Sequence, residues 1–202
     1  MYGRNRETAH IDRKTAQYIF DAFDYSESVG EAFNYFVVIH LHDSLAKSSA
    51  SIIEDFHKRY RGWFRRACKK HNLDYKPTYV WTRENPNGHE HLNWCAHIPK
   101  ELEAEFESKL TAWVRKSQGM PDEVTINIQP ITKTYKSVAN YILKGVDPEF
   151  IQHFHLQKQF LKHGLQGTVF GKRAGYSLNI GRSAIKSVEF NAKAYRRRRL
   201  AA

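Results

Sequence analysis

The stretch from Tyr79 to Pro99, YVWTRENPNGHEHLNWCAHIP, constrains this chain more than any other. Tyr79, Val80, Trp81 and Thr82 are strand formers, and Asn85-Pro86-Asn87-Gly88 is dense turn chemistry, so the stretch reads as a β-hairpin. After the turn, His91, Asn93, Cys95 and His97 alternate with Leu92, Trp94, Ala96 and Ile98. At a period of two, the apolar set faces a core and the polar set faces the other way. Glu84 closes the first strand beside the turn. One carboxylate and several imidazoles thus gather on one side of one hairpin, as a divalent-metal site requires. The plain alternative is a row of surface histidines, but no packing reason calls for Glu84 or Asn93. A zinc set of His89, His91, Cys95 and His97 meets a length limit. Residues six apart on a strand are about 20 Å apart, so one ion takes neighbours such as His89, His91 and Asn93.

With 202 residues the chain is long enough for one sizeable domain and short for two. Two cysteines, Cys68 and Cys95, exclude a disulfide framework and point to a reducing compartment. No apolar run reaches the roughly 20 residues that span a bilayer, and the N-terminus lacks a signal-peptide core. The expectation is a cytoplasmic protein without a membrane partner. The net charge of +11 favours a polyanionic partner such as nucleic acid, although any soluble basic protein shares it.

Residues 1–30 read as an arm with one short helix. FNYFVVIHL, from Phe33 to Leu41, reads as a buried strand. From Ser44 to His71, Leu45, Ile52, Ile53, Phe56, Tyr60, Trp63, Phe64 and Ala67 recur at helical spacing. The opposite face of that helix carries Lys58, Arg59, Arg61, Arg65, Arg66, Lys69 and Lys70, which suits a solvated face or phosphate contact equally. After the hairpin, Pro99 opens a second helix with a stripe of Leu102, Phe106, Leu110, Trp113 and Val114, ended by Gly119 and Pro121. Val124, Ile126 and Ile128 mark a strand over 123–129. A helix over 133–144 places Tyr135, Val138 and Ile142 on one side. A further helix over 148–163 presents Phe150, Phe154 and Leu161. The order β-α-β-β-α-β predicts an α+β fold: a split sandwich with an antiparallel sheet and helices on one face. Three segments follow: a basic arm (1–32), a central domain (33–163) and a basic extension (164–202). The extension, with GKRAGYSLNIGRSAIK and YRRRR, is expected to be partly ordered and to bind a phosphate backbone.

SVANYILKG puts Tyr141 and Lys144 three apart, on one helix face. A tyrosine can serve as a covalent nucleophile, and a nearby ammonium can stabilise charge developing on a phosphate or phenolate. Packing for Tyr141 and a helix-end charge for Lys144 is the competing account.

ENPNGHEHLN followed by YILK resembles the HUH endonucleases, in the arrangement of rolling-circle replication initiators. In that family a histidine–hydrophobic–histidine motif on a central strand binds a divalent metal, an upstream glutamate often joins it, and a downstream Y-x-x-K tyrosine cuts single-stranded DNA. The resemblance covers residues 33 to 147 and implies a central, five-stranded antiparallel sheet with flanking helices. It implies Glu84, His91 and Asn93 as ligands of Mn²⁺ or Mg²⁺, with Asn93 replacing the second histidine and His89 as substitute or neighbour. His89-Glu90-His91 is the literal histidine pair, but its middle residue is charged. His153-Phe154-His155 also fits the motif. It falls in a helical pattern, where residues two apart diverge, and is set aside.

The resemblance further implies nicking and rejoining through a 5′-phosphotyrosine at Tyr141, assisted by Lys144. Tyr135 is a lesser nucleophile candidate. Arg61, Arg65, Arg66, Lys172, Arg173, Arg196 and Arg197 are expected to hold DNA. A replication initiator without a helicase motif implies a host helicase, and the chain is expected to be a monomer or weak dimer. Two other readings remain open: a single-tyrosine transposase, and a non-catalytic basic DNA-binding protein whose metal site is degenerate at Asn93.

Overall fold

The computed structural model describes residues 6–41, 47–119, 123–132 and 134–201. Its centre is a five-stranded antiparallel sheet in the order β5-β2-β4-β3-β7. The strands are β2 (Tyr35–His40), β3 (Thr78–Glu84), β4 (His91–His97), β5 (Ile126–Pro130) and β7 (Ala174–Tyr176). A separate two-stranded ribbon pairs β1 (Glu7–Thr8) with β6 (Val169–Phe170). The helices are α1 (Arg13–Ser28), α2 (Ser49–Lys70), α3 (Glu103–Ser117), α4 (Tyr135–Ile142), α5 (Gln157–His163), α6 (Arg182–Ser187) and α7 (Ala192–Ala201). The α+β class and the β-α-β-β-α-β core therefore stand as expected.

Both faces of the sheet are covered, whereas the sequence suggested helices on one face. Tyr35, Val37, Ile39, Tyr79, Leu92, Trp94 and Ala96 point into a core shared with α2 and α3. The aromatic rings of Tyr60, Trp94 and Phe106 meet there edge to face or tilted, the favoured arrangements for their quadrupoles. The alternate residues, including Val80 and Cys95, face a second core made with α1 and α4. Alternation in β4 therefore separates two buried faces, and Cys95 and Asn93 are as enclosed as Leu92 and Trp94.

The second core explains the departures at both ends of the chain. The stretch read as an arm forms the 16-residue helix α1, capped by the Asp12 side chain on the Thr15 amide. Ala16, Ile19, Ala22 and Phe23 of α1 are buried. The fifth strand comes from the basic extension: β7 pairs with β3 along Val80–Thr82. The turn of the hairpin is one 3₁₀ turn, Pro86–Gly88, with Asn87 at φ 54. Boundaries shift elsewhere. Residues 148–163 form a 3₁₀ turn, a bend with His155 at φ 56, and then the short α5. Leu161 is 85% exposed rather than part of a buried stripe. His153 and His155 thus lie in turns, not in a continuous helix. Ser44, Leu45, Pro121, Lys133 and the Tyr135 side chain lie outside the described residues. No described helix is long and apolar enough to cross a membrane.

Candidate active site

Antiparallel register assembles the site. In the β3–β4 pair, Glu84 lies opposite His91 and Thr82 lies opposite Asn93. All four side chains share the face covered by α1 and α4, because positions two apart on a strand point the same way. β2 continues this row, with His40 opposite His91 and Val38 opposite Asn93. The His40 and His91 rings are 5.8 Å apart.

Glu84 is the hub. Its Oε2 accepts a hydrogen bond from His91 Nε2 at 2.9 Å and lies 2.6 Å from the Lys144 ammonium. Glu84 and Lys144 are both buried. Burial alone pushes the Glu84 carboxyl up, but the His91 hydrogen bond and the Lys144 charge together hold it below the usual carboxylate range. The carboxyl is therefore ionised at neutral pH. Its second oxygen, Oε1, is buried without a hydrogen-bond partner, as are Thr82 Oγ1 and both amide atoms of Asn93. Such a group of orphans on one sheet face is uncommon, since buried polar atoms are nearly always paired.

Lys144 links this cluster to Tyr141. Helix α4 ends at Ile142, and Lys144 sits in the following turn, its amide donating to Tyr141 O at 3.2 Å. From there its ammonium lies 3.8 Å from the centre of the Tyr141 ring. The same cation thus touches the carboxylate and the face of the tyrosine, a favourable cation–π arrangement. Phe36 and His163 meet the Tyr141 ring edge to face at 5.6 and 5.4 Å. Tyr141 lines a cleft of about 680 Å³ between the β2–β5 edge of the sheet and helices α4 and α5. Phe36, Val38, His40, Asn127 and Gln129 form its sheet side, with Lys158, Lys162 and His163 across from them.

Glu84, His91, Asn93, Tyr141 and Lys144 are therefore brought together. His89 is not: it is exposed, lies before β4 begins, and offers its carbonyl oxygen 3.2 Å from His91 Nδ1. The residues expected to hold DNA divide. Arg173 is buried and serves the fold, its guanidinium donating to the carbonyls of Thr8, Ala9, Gln166 and Gly167. Arg196 is engaged by Asp21 and Asp24 of α1 at 2.6 and 2.5 Å. Arg61 donates to the Tyr79 hydroxyl. Arg61, Arg65 and Arg66 belong to α2, which packs on the sheet face opposite Tyr141. Lys172 and Arg197 are exposed. Lys172 lies 5.9 Å from the Trp81 ring, also on the α2 side.

The donor set fits a hard divalent cation. A carboxylate, an imidazole, an amide and a hydroxyl occupy neighbouring register positions on one sheet face, with unpaired oxygens on Glu84, Asn93 and Thr82. Among the described residues no three His, Cys, Asp or Glu side chains cluster, so a cation bound here would need the Asn93 amide as its third donor. Two residues escaped the sequence reading. Thr82 was accessible, since it stands two before Glu84 on the same strand face. His163 carried no signal, because only tertiary folding brings α5 to α4. No family model, curated protein or solved structure matches this chain.

Proposed function

We propose that this protein nicks and rejoins single-stranded DNA through a covalent tyrosine intermediate, in the manner of the HUH endonucleases that it resembles. One observation carries the reading: the Lys144 ammonium bridges the Glu84 carboxylate, in its pairing with His91, to the ring of Tyr141 at a cleft. Metal-binding residue types and a candidate nucleophile come from distant parts of the chain and meet through one charge.

Tyr141 is the nucleophile. Its phenolic oxygen bonds to the scissile phosphorus as the phosphorus–O3′ bond breaks; the phenolic proton passes to solvent and the departing O3′ takes one up from it. The products are a 5′-phosphotyrosine and a DNA strand with a free 3′-hydroxyl. Rejoining is the reverse, with the 3′-hydroxyl attacking the linkage. Lys144 holds positive charge beside the phenolate that develops. Glu84, His91 and Asn93 would hold Mn²⁺ or Mg²⁺, whose contribution when bound is to polarise a phosphate oxygen. The free 3′-hydroxyl suits priming of rolling-circle replication of a plasmid, phage or similar element, with unwinding left to a host helicase. A cytoplasmic setting suits the two buried free thiols.

The test is a denaturing gel of protein with labelled single-stranded DNA tiled across the source element, with Mn²⁺ or with EDTA. The expected result is a protein–DNA adduct that needs metal and vanishes in Tyr141→Phe. An adduct that survives Tyr141→Phe moves the chemistry to another tyrosine. DNA binding with no adduct on any tile favours the second reading, a non-catalytic binding protein. One observation favours that reading specifically: Lys144 already neutralises Glu84.

A further inference from the structure

Helix α5 and the loop after it lie outside every motif, yet the chain fastens this segment with unusual care. Buried Gln166 donates through Nε2 to the carbonyls of His163 and Gly164 at 2.9 and 3.0 Å. The Gln166 carbonyl in turn accepts from the Asn85 amide at 2.9 Å and from the Arg173 guanidinium at 2.8 Å. Arg173 also holds the Gly167 carbonyl at 2.6 Å. Gly167, at φ +63, lies so close to Asn85 that a Cβ would collide with its carbonyl oxygen. Residues 163–167 are thereby pinned to the end of β3, next to Glu84. The outcome of this fastening is that the His163 ring stands edge to face against Tyr141, 5.4 Å away at 89°.

We propose that His163 is a positioning residue for Tyr141: its ring fixes the orientation of the tyrosine ring in the cleft. This rests on the reading of Tyr141 as nucleophile. Three partners then define the ring, with Phe36 and His163 at its sides and the Lys144 ammonium on its face. Loss of one leaves the ring free to turn, and a nucleophile displaced by an ångström loses much of its rate. Neutrality of the imidazole matters because the groups facing His163 are mainly cationic. Burial first, then Lys144 and Lys162, push its imidazole below the ordinary histidine range, with Glu84 opposing weakly. Lys158 and His40 also face the cleft. A proton on His163 would set like charge against Lys144, which Tyr141 and Glu84 both need in place.

The experiment compares wild type with His163→Ala and His163→Phe, each assayed well below its own unfolding midpoint. Fluorine-labelled Tyr141 reports ring order by NMR. A single narrow signal is expected in wild type, a shifted or broadened one in His163→Ala, and recovery in His163→Phe. In the single-turnover adduct assay His163→Ala should be slower by tenfold or more, on the order expected for a misplaced reactant, with DNA affinity unchanged. His163→Phe should restore the rate. A fluorine signal in His163→Ala that matches wild type overturns the proposal. So does His163→Phe as slow as His163→Ala, which would assign the imidazole nitrogen a chemical role. If wild type forms no adduct, the nicking reading fails while the fluorine result still decides whether His163 orients Tyr141.

Discussion

The Lys144 ammonium lies 2.6 Å from Glu84 Oε2 and 3.8 Å from the centre of the Tyr141 ring, so one cation is shared by a buried carboxylate and an aromatic face. Removal of either charge leaves the other buried without its ion-pair partner. Lys144→Met or Glu84→Gln alone should cost roughly 3–5 kcal/mol of stability, and the double variant should recover part of that loss. Urea unfolding of the three variants checks this. Single variants as stable as wild type would show that the pair is not formed in solution.

The same pair makes stability depend on pH. The folded-state carboxyl of Glu84 is held below its ordinary value of 4.5. Its contribution is therefore fully present above about pH 4.5 and lost as pH falls through the lower folded-state value. The difference in unfolding free energy between wild type and Glu84→Gln should be constant near neutrality and shrink in acid. A difference that grew on acidification would contradict the assigned direction.

Arg173 and Arg197 both came out of the sequence as DNA contacts, and the structure separates them. Arg173→Met leaves several buried carbonyls without donors and should destabilise the protein by about 3 kcal/mol. Arg197→Ala should leave the unfolding midpoint alone and reduce the salt slope of single-stranded DNA binding by about 0.7. Thermal melts and binding titrations over a range of salt distinguish the two. A stable Arg173→Met variant would overturn its structural role.

Gly167 and Gly30 both adopt positive φ, but only Gly167 abuts backbone. Gly30→Ala should cost about 1 kcal/mol, the ordinary penalty of a left-handed residue. Gly167→Ala adds a collision with Asn85 O and should cost roughly 3 kcal/mol. Equal costs would show that the 163–167 loop relaxes away from β3.

The hairpin was the most legible part of the chain because a period of two and a turn cluster fix both pairing and facing. Glu84 opposite His91 follows from that register alone. The contact from Lys144 to Glu84 was not legible. It depends on how α4 seats across the sheet, which is set by Val138, Ala139 and Ile142 packing with α1. The helix α1 was hidden by its composition, since Asp21, Asp24 and Glu27 dilute its apolar stripe. Those acids turn out to face Arg196 and Arg199 of α7. Charge also misled at Arg173: a guanidinium suits phosphate and a cage of carbonyls equally well, and only tertiary structure decides. The strand β7 is three residues long and contains Gly175, too short and too flexible to announce itself.

That short strand has a consequence for how the protein is made. β3 carries Glu84, and one of its flanks is covered entirely by later sequence among the described residues: Ala174–Tyr176 pairs along Val80–Thr82, and the Arg83 and Asn85 amides donate to the carbonyls of Arg173 and Gln166. During synthesis, β3 and its partner β4 leave the ribosome long before residue 176 does. Until then the strand bearing the central carboxylate is an open edge, able to recruit a neighbouring chain. Completion of this sheet thus waits on late-emerging sequence, and a nascent or truncated chain ending before Ala174 should be sticky.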